Sequence, residues 1–86
     1  MTYAVNIKNE AYKDFDRLPL KDVKGIDKVL VGLDDNPRPH GCKKLVDSMN
    51  QWRIRTGDYR ILYTIVGNMK LVEVCRVLHR KDAYRQ

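Results

Sequence analysis

Apolar and polar residues alternate from Thr2 to Lys8, with Tyr3, Val5 and Ile7 on one side and Ala4, Asn6 and Lys8 on the other. A period of two predicts a half-buried strand. From Asn9 the period lengthens: Ala11, Phe15 and Leu18 recur at helical spacing, with Asn9 placed to cap and Glu10 in the first turn. Pro19 interrupts this helix. A second helix follows, with Val23, Ile26, Leu30 and Leu33 on one face, ending before Asn36. Asn36-Pro37-Arg38-Pro39-His40-Gly41 reads as a loop, and the loop reading continues through Lys43, Lys44 and Leu45 to Asn50.

At Gln51 the period returns to two. The segment QWRIRTGDYRILYTIV carries Gly57-Asp58 in its middle, and Gly67-Asn68 follows it; both read as two-residue hairpin turns. A last strand runs from Met69 to about Val77, leaving a short C-terminal tail or helix. A strand, two helices and a three-stranded meander predict an α+β fold, a small antiparallel sheet with the helices packed on one face. Residues 1–86 have the length of a single domain, without repeats, linkers or low-complexity segments.

The Gly57-Asp58 turn fixes a register. Arg55 then faces Arg60, Ile54 faces Ile61, Arg53 faces Leu62 and Trp52 faces Tyr63, and opposed residues share a face. Trp52, Ile54, Ile61 and Tyr63 form the core side, joined from the next strand by Val72 and Val74 opposite Tyr63 and Ile61. The other face, expected to be turned to solvent, collects Arg53, Arg55 and Arg60, beside Cys75 and Glu73. Like charges placed opposite each other destabilise a strand pair by roughly 0.2–1 kcal/mol. Folding therefore gains nothing from this arrangement. Solvated guanidiniums, or pairs with Glu73 or Asp58, are the plain alternative; the register favours a rigid cationic platform, since arginine binds phosphate through two parallel hydrogen bonds.

Charge is compatible with this. Seventeen Lys and Arg against eleven Asp and Glu give a net +6, which fits an anionic partner such as nucleic acid, an anionic membrane or an acidic protein, and on its own fits a merely soluble basic surface equally well. The remaining composition, 43% hydrophobic and 33% charged, is that of a soluble globular chain. No stretch has the character of a signal peptide or a membrane span. Cys42 and Cys75 match neither a disulfide framework nor a zinc pattern, and read as reduced thiols of a cytoplasmic protein. No Gly-rich phosphate loop and no Ser/His/Asp motif occurs, and the spacing of His40 and His79 suggests no metal site. The expectation is a protein without cofactor or metal.

The tail adds candidate chemistry. In CRVLHRKDAYR, His79 keeps the parity of Cys75 if the strand continues, which turns it toward the arginines. Arg80 and Tyr84 lie four apart, on one face if the tail is helical. Lys43, Lys44 and Arg85 extend the basic surface as candidate RNA or ribosome contacts, the two lysines reading equally as solvated loop.

W-R-I-R-x-G-D-Y-R-I-L-Y, followed by V-x-R-V-x-H-R-x-x-x-Y-R, resembles the RelE branch of the RelE/ParE toxin superfamily. The resemblance extends to the opening Y-x-V-x-I, the L-P after the first helix, the N-P-R-P loop and K-K-L. It implies a small toxin that cleaves messenger RNA in the ribosomal A site without a metal and is neutralised by a cognate antitoxin. By motif, it implies Arg60 as the phosphate-stabilising arginine, Arg80 as the arginine after the last strand and Tyr84 as the C-terminal aromatic. Two lysines flanking an isoleucine in the best-known pattern are Arg53 and Arg55 here. A guanidinium is a poor general base, so His79 is the expected proton carrier. ParE-like gyrase poisons share the fold, and a non-catalytic basic nucleic-acid-binding module also fits the charge.

Overall fold

Tyr3, Val5 and Ile7 do line one side of a strand, β1 (Ala4–Ile7), with Ala4 and Asn6 exposed between them. The structure is a computed structural model that describes residues 3–45 and 50–83. Helix α1 (Asn9–Asp16) begins one position earlier than expected, so that Lys8 and not Asn9 is the capping residue. Pro19 caps α2 (Leu20–Gly32), where its fixed φ and missing N–H are tolerated. Ala11 on α1 and Ile26 and Leu30 on α2, with Leu33 just beyond, are buried against Ile54, Ile61, Tyr63, Ile65, Val72, Val74 and Val77 of the sheet. The expected α+β architecture is present.

The sheet is larger than the sequence indicated. Its five strands lie in the order β1-β5-β4-β3-β2. Lys43–Lys44, expected as loop, forms a short edge strand β2 antiparallel to β3 (Gln51–Thr56). Residues 46–49 of the expected loop lie outside the described residues. At the opposite edge β1 runs parallel to β5 (Leu71–His79), so the sheet is mixed. Parallel neighbours need a long crossover, and here the whole of α1, α2 and the first strands of the meander supply it.

Between β3 and β4 (Tyr59–Val66) the register is the one the turn dictates: Trp52 pairs with Tyr63, Ile54 with Ile61 and Arg55 with Arg60. Gly57 alone in that turn has positive φ, at 60°, which is the II′ geometry that follows strand twist. The next connection differs. Gly67–Met69 is a single 3-10 turn closed by Lys70 in the left-handed region (φ 49°), so Val66 pairs with Leu71 and Tyr63 with Val74. That moves β5 by two positions and preserves its faces. A bulge between Leu62 and Tyr63 then skips Cys75 and reverses them: Leu62 pairs with Arg76, Ile61 with Val77 and Tyr59 with His79.

Two contacts seat the N-P-R-P loop on this sheet. The buried Tyr63 hydroxyl donates to the Pro37 carbonyl at 2.8 Å, and the Arg38 guanidinium lies 5.0 Å from the centroid of the Trp52 ring. Burial, reinforced by the neighbouring Cys42 thiol, holds the Tyr63 phenol well above its ordinary range, so it remains a donor. The loop thereby carries Cys42 and Gly41 to the start of β2.

Candidate functional site

Alternation along β3 places Arg53 and Arg55 on the face turned away from the main core. β2 adds to this set. Lys43 pairs with Arg53, and Gly41, Lys43, Arg53 and Arg55 line a cavity of about 280 Å³. Lys44 pairs instead with Trp52 and lies by parity on the other face. The two lysines, grouped together in the sequence reading, are therefore separated.

Arg60 stands opposite Arg55 on one side and Leu78 on the other. The expectation of a solvent-facing side chain is corrected here: Arg60 is only 5% exposed, and Leu78 only 6%. Leu78 is buried yet outside the main core cluster, as befits the opposite face of the sheet. Helix α3 (Arg80–Ala83) contacts both β4 and β5 nearby. The Arg60 Nη1 donates to the Tyr59 carbonyl at 3.2 Å. Among the described residues no carboxylate lies within 4 Å of Arg60; the ion pair found there joins Asp14 and Arg76. A buried guanidinium without an anionic partner is costly to keep.

The strand face expected for His79 is corrected by the structure. The Cys75 bulge puts it opposite Tyr59, on the face of Ile61 and Val77 rather than that of the arginines. Its ring meets the Tyr59 ring edge-on, with centroids 5.3 Å apart and planes at 85°. Its Nδ1 accepts the Lys81 backbone N–H at 3.2 Å, so the neutral imidazole carries its proton on Nε2.

Arg80 opens α3, exposed, with its backbone N–H donating to the Asp58 carbonyl at 2.7 Å. That bond ties the start of the tail helix to the β3–β4 turn. Tyr84 and Arg85 lie outside the described residues.

A second cavity, of about 400 Å³, opens at the same end of the molecule and includes Asp14, Arg17, Tyr59, Arg76, His79 and Asp82 in its wall. Burial raises the Tyr59 phenol above its ordinary value, and the Asp22, Asp58 and Asp82 carboxylates add to this. Asp14 and Arg76 escaped the sequence reading. The signal was present: Asp14 follows Ala11 by three and precedes Leu18 by four, which puts a carboxylate on the apolar stripe of α1. A charge in such a position requires a partner.

The family described as ParE toxin of type II toxin-antitoxin system, parDE, matches residues 5–84. Toxin RelG of Mycobacterium tuberculosis is 30% identical over 87 residues, covering 100% of both chains. Among solved structures, a toxin–antitoxin complex from Mycobacterium tuberculosis superposes with a TM-score of 0.82 at 27% identity, over 93% of this chain and 100% of that one. The archaeal RelE-RelB complex from Pyrococcus horikoshii OT3 gives 0.82 at 26% identity, over 93% and 97%. The fold is that of the RelE toxins. The chain belongs to the ParE toxin family and is the toxin of a type II toxin–antitoxin system. No helix among the described residues is long and apolar enough to cross a membrane.

Proposed function

We propose that this toxin is a ribosome-dependent endoribonuclease that cleaves messenger RNA in the ribosomal A site. The observation that carries the reading is the basic face: Lys43, Arg53 and Arg55 around one cavity, with Arg60 buried beside them and no described carboxylate at hand. A phosphodiester entering there meets the half-buried Arg53 and the exposed Arg55, and beside them in Arg60 a guanidinium that the fold has already desolvated, where electrostatic stabilisation of developing charge is strongest. In the reaction the RNA 2′-OH attacks its own phosphorus and gives its proton to water, the bond from phosphorus to the 5′-oxygen of the next nucleotide breaks, that oxygen takes a proton from water, and 2′,3′-cyclic phosphate and 5′-hydroxyl ends remain. Arg60, Arg53 and Arg55 stabilise the charge on the phosphoryl oxygens, without a metal or other cofactor. Arg80 and Tyr84 complete the set by motif, Tyr84 by stacking on a splayed base.

Phosphate contacts position a strand without reading its sequence. Few groups on this face are left to recognise a base or grip a free strand, so the ribosome presents the message, with Lys43 on this face, Lys44 on the other and Arg85 in the tail as contacts to ribosomal RNA. The proton-transfer role that the sequence suggests for His79 loses its geometric support. The relatives solved with antitoxins support a cognate antitoxin as the partner that silences this chain, and a toxin acting on ribosomes works in the cytoplasm. Primer extension on a translated message, with and without the protein, tests the proposal. New 5′ ends within codons are expected; cleaved DNA–gyrase complexes without such ends would establish the gyrase-poison alternative.

A further inference from the structure

The parallel partner of β5 runs out early. β1 ends at Ile7, and the Lys8 N–H makes its last bond to β5, to the Val74 carbonyl at 3.0 Å. Beyond Val74 the strand would present a bare edge just where the bulge reverses its faces. Asp14 of α1 fills this gap. Its carboxylate is 8% exposed and accepts three hydrogen bonds: Oδ2 from the Val77 backbone N–H at 2.9 Å and from Arg76 Nε at 2.8 Å, and Oδ1 from Arg76 Nη2 at 3.1 Å. The two partners lie on either side of the Arg76–Val77 peptide, and Asp14 is 62 positions away in sequence.

The consequence reaches the basic face. With an unbroken ladder after the Tyr63–Val74 pair, Arg60 would stand opposite Val77, and Arg76 would be driven opposite Ile61 in the core. With the bulge, Leu78 is set beside Arg60, Val77 enters the core, and β5 ends so that the Arg80 N–H reaches the Asp58 carbonyl. We infer that Asp14 is a positioning residue for the anion-binding face. By clamping Arg76 and Val77, it sets the register that places Leu78 against Arg60 and the start of α3 against the β3–β4 turn. This rests on the reading of that face as the nuclease site, and it assigns Asp14 no contact with RNA.

The experiment pairs nuclear magnetic resonance with single-turnover cleavage on programmed ribosomes, for wild type, Asp14→Ala and Asp14→Asn. In Asp14→Ala we expect rapid exchange of the Val77 amide and loss of the Tyr59–His79 inter-ring contact, while β3 amides keep their shifts. The cleavage rate at saturating ribosomes falls by about 10²-fold, the scale for a 1 Å misplacement, with the half-saturating ribosome concentration unchanged. Asp14→Asn keeps an oxygen for the Val77 N–H and loses the charge that orients Arg76; the same changes are expected to a smaller degree. Should Asp14→Ala not fold, Asp14→Asn decides. Wild-type protection, ring contact and rate in either folded variant would overturn the inference. Absence of cleavage by the wild type would instead defeat the nuclease reading, and the resonance measurements would still judge the clamp.

Discussion

Arg60→Ala is expected to fold and to lose its toxicity, with the proposed cleavage slowed by about 10²–10³. The two halves of this result have different origins. The guanidinium is buried, bonded to one backbone carbonyl and paired with no described carboxylate, so the native state gains little from its charge. Removing a buried charge that no described carboxylate pairs relieves a desolvation penalty, which offsets the packing that disappears with the side chain. The melting temperature should therefore change by only a few degrees, and Arg60→Met, which refills the space, should equal or exceed the wild type. Activity behaves oppositely. In the proposed reaction Arg60 meets its anion when the phosphodiester is in place, and a contact that strengthens as charge develops is lost from the rate rather than from binding. Thermal melts together with single-turnover rates on both variants check the two halves. A folded Arg60→Ala as active as wild type would remove the residue from the mechanism.

A message bearing 2′-deoxyribose at the scissile nucleotide is expected to escape cleavage at that linkage altogether. The nucleophile proposed is the neighbouring hydroxyl, and the cations proposed to meet the phosphate cannot replace it. Lys43, Arg53, Arg55 and Arg60 are all cations that stabilise charge, and none is a hydroxyl or thiol. Products from the all-ribose message carry 2′,3′-cyclic phosphate and 5′-hydroxyl ends, read by their resistance to ligation and phosphatase. Cleavage of the deoxy message at the same position would show that water or a protein group attacks instead.

What the sequence made legible follows from how locally each feature is specified. Gly57-Asp58 is a complete turn in two residues, so the β3–β4 pairing could be written from it, and Arg53, Arg55 and Arg60 fall on one face as expected. β5 was harder. Gly67-Asn68 looks like an equally good turn, yet the chain uses a 3-10 turn closed by Lys70, which moves the register by two positions and leaves the faces alone. The bulge at Cys75 does reverse them, and with them the side on which His79 falls. Its trace in the sequence is the apolar spacing Val72, Val74, Val77, where the period of two slips to three. The burial of Arg60 had no such trace. Alternation assigns a side chain to a face and says nothing about what later segments bring over that face. β2 escaped for a related reason, since Lys43 and Lys44 become a strand only by pairing with β3.

Ribosome dependence is the claim on which the rest hangs, and one comparison tests it directly. Purified toxin is mixed with the same defined message either free or programmed in the A site of ribosomes, and cleavage is followed at equal toxin concentration in chelator-treated buffer with ribosomes kept intact by polyamines. The programmed message is predicted to be cut between A-site nucleotides within the single-turnover time, and the free message to survive over the same period. Equal cutting of both, or loss of cutting on chelation while the ribosomes stay intact, would contradict it.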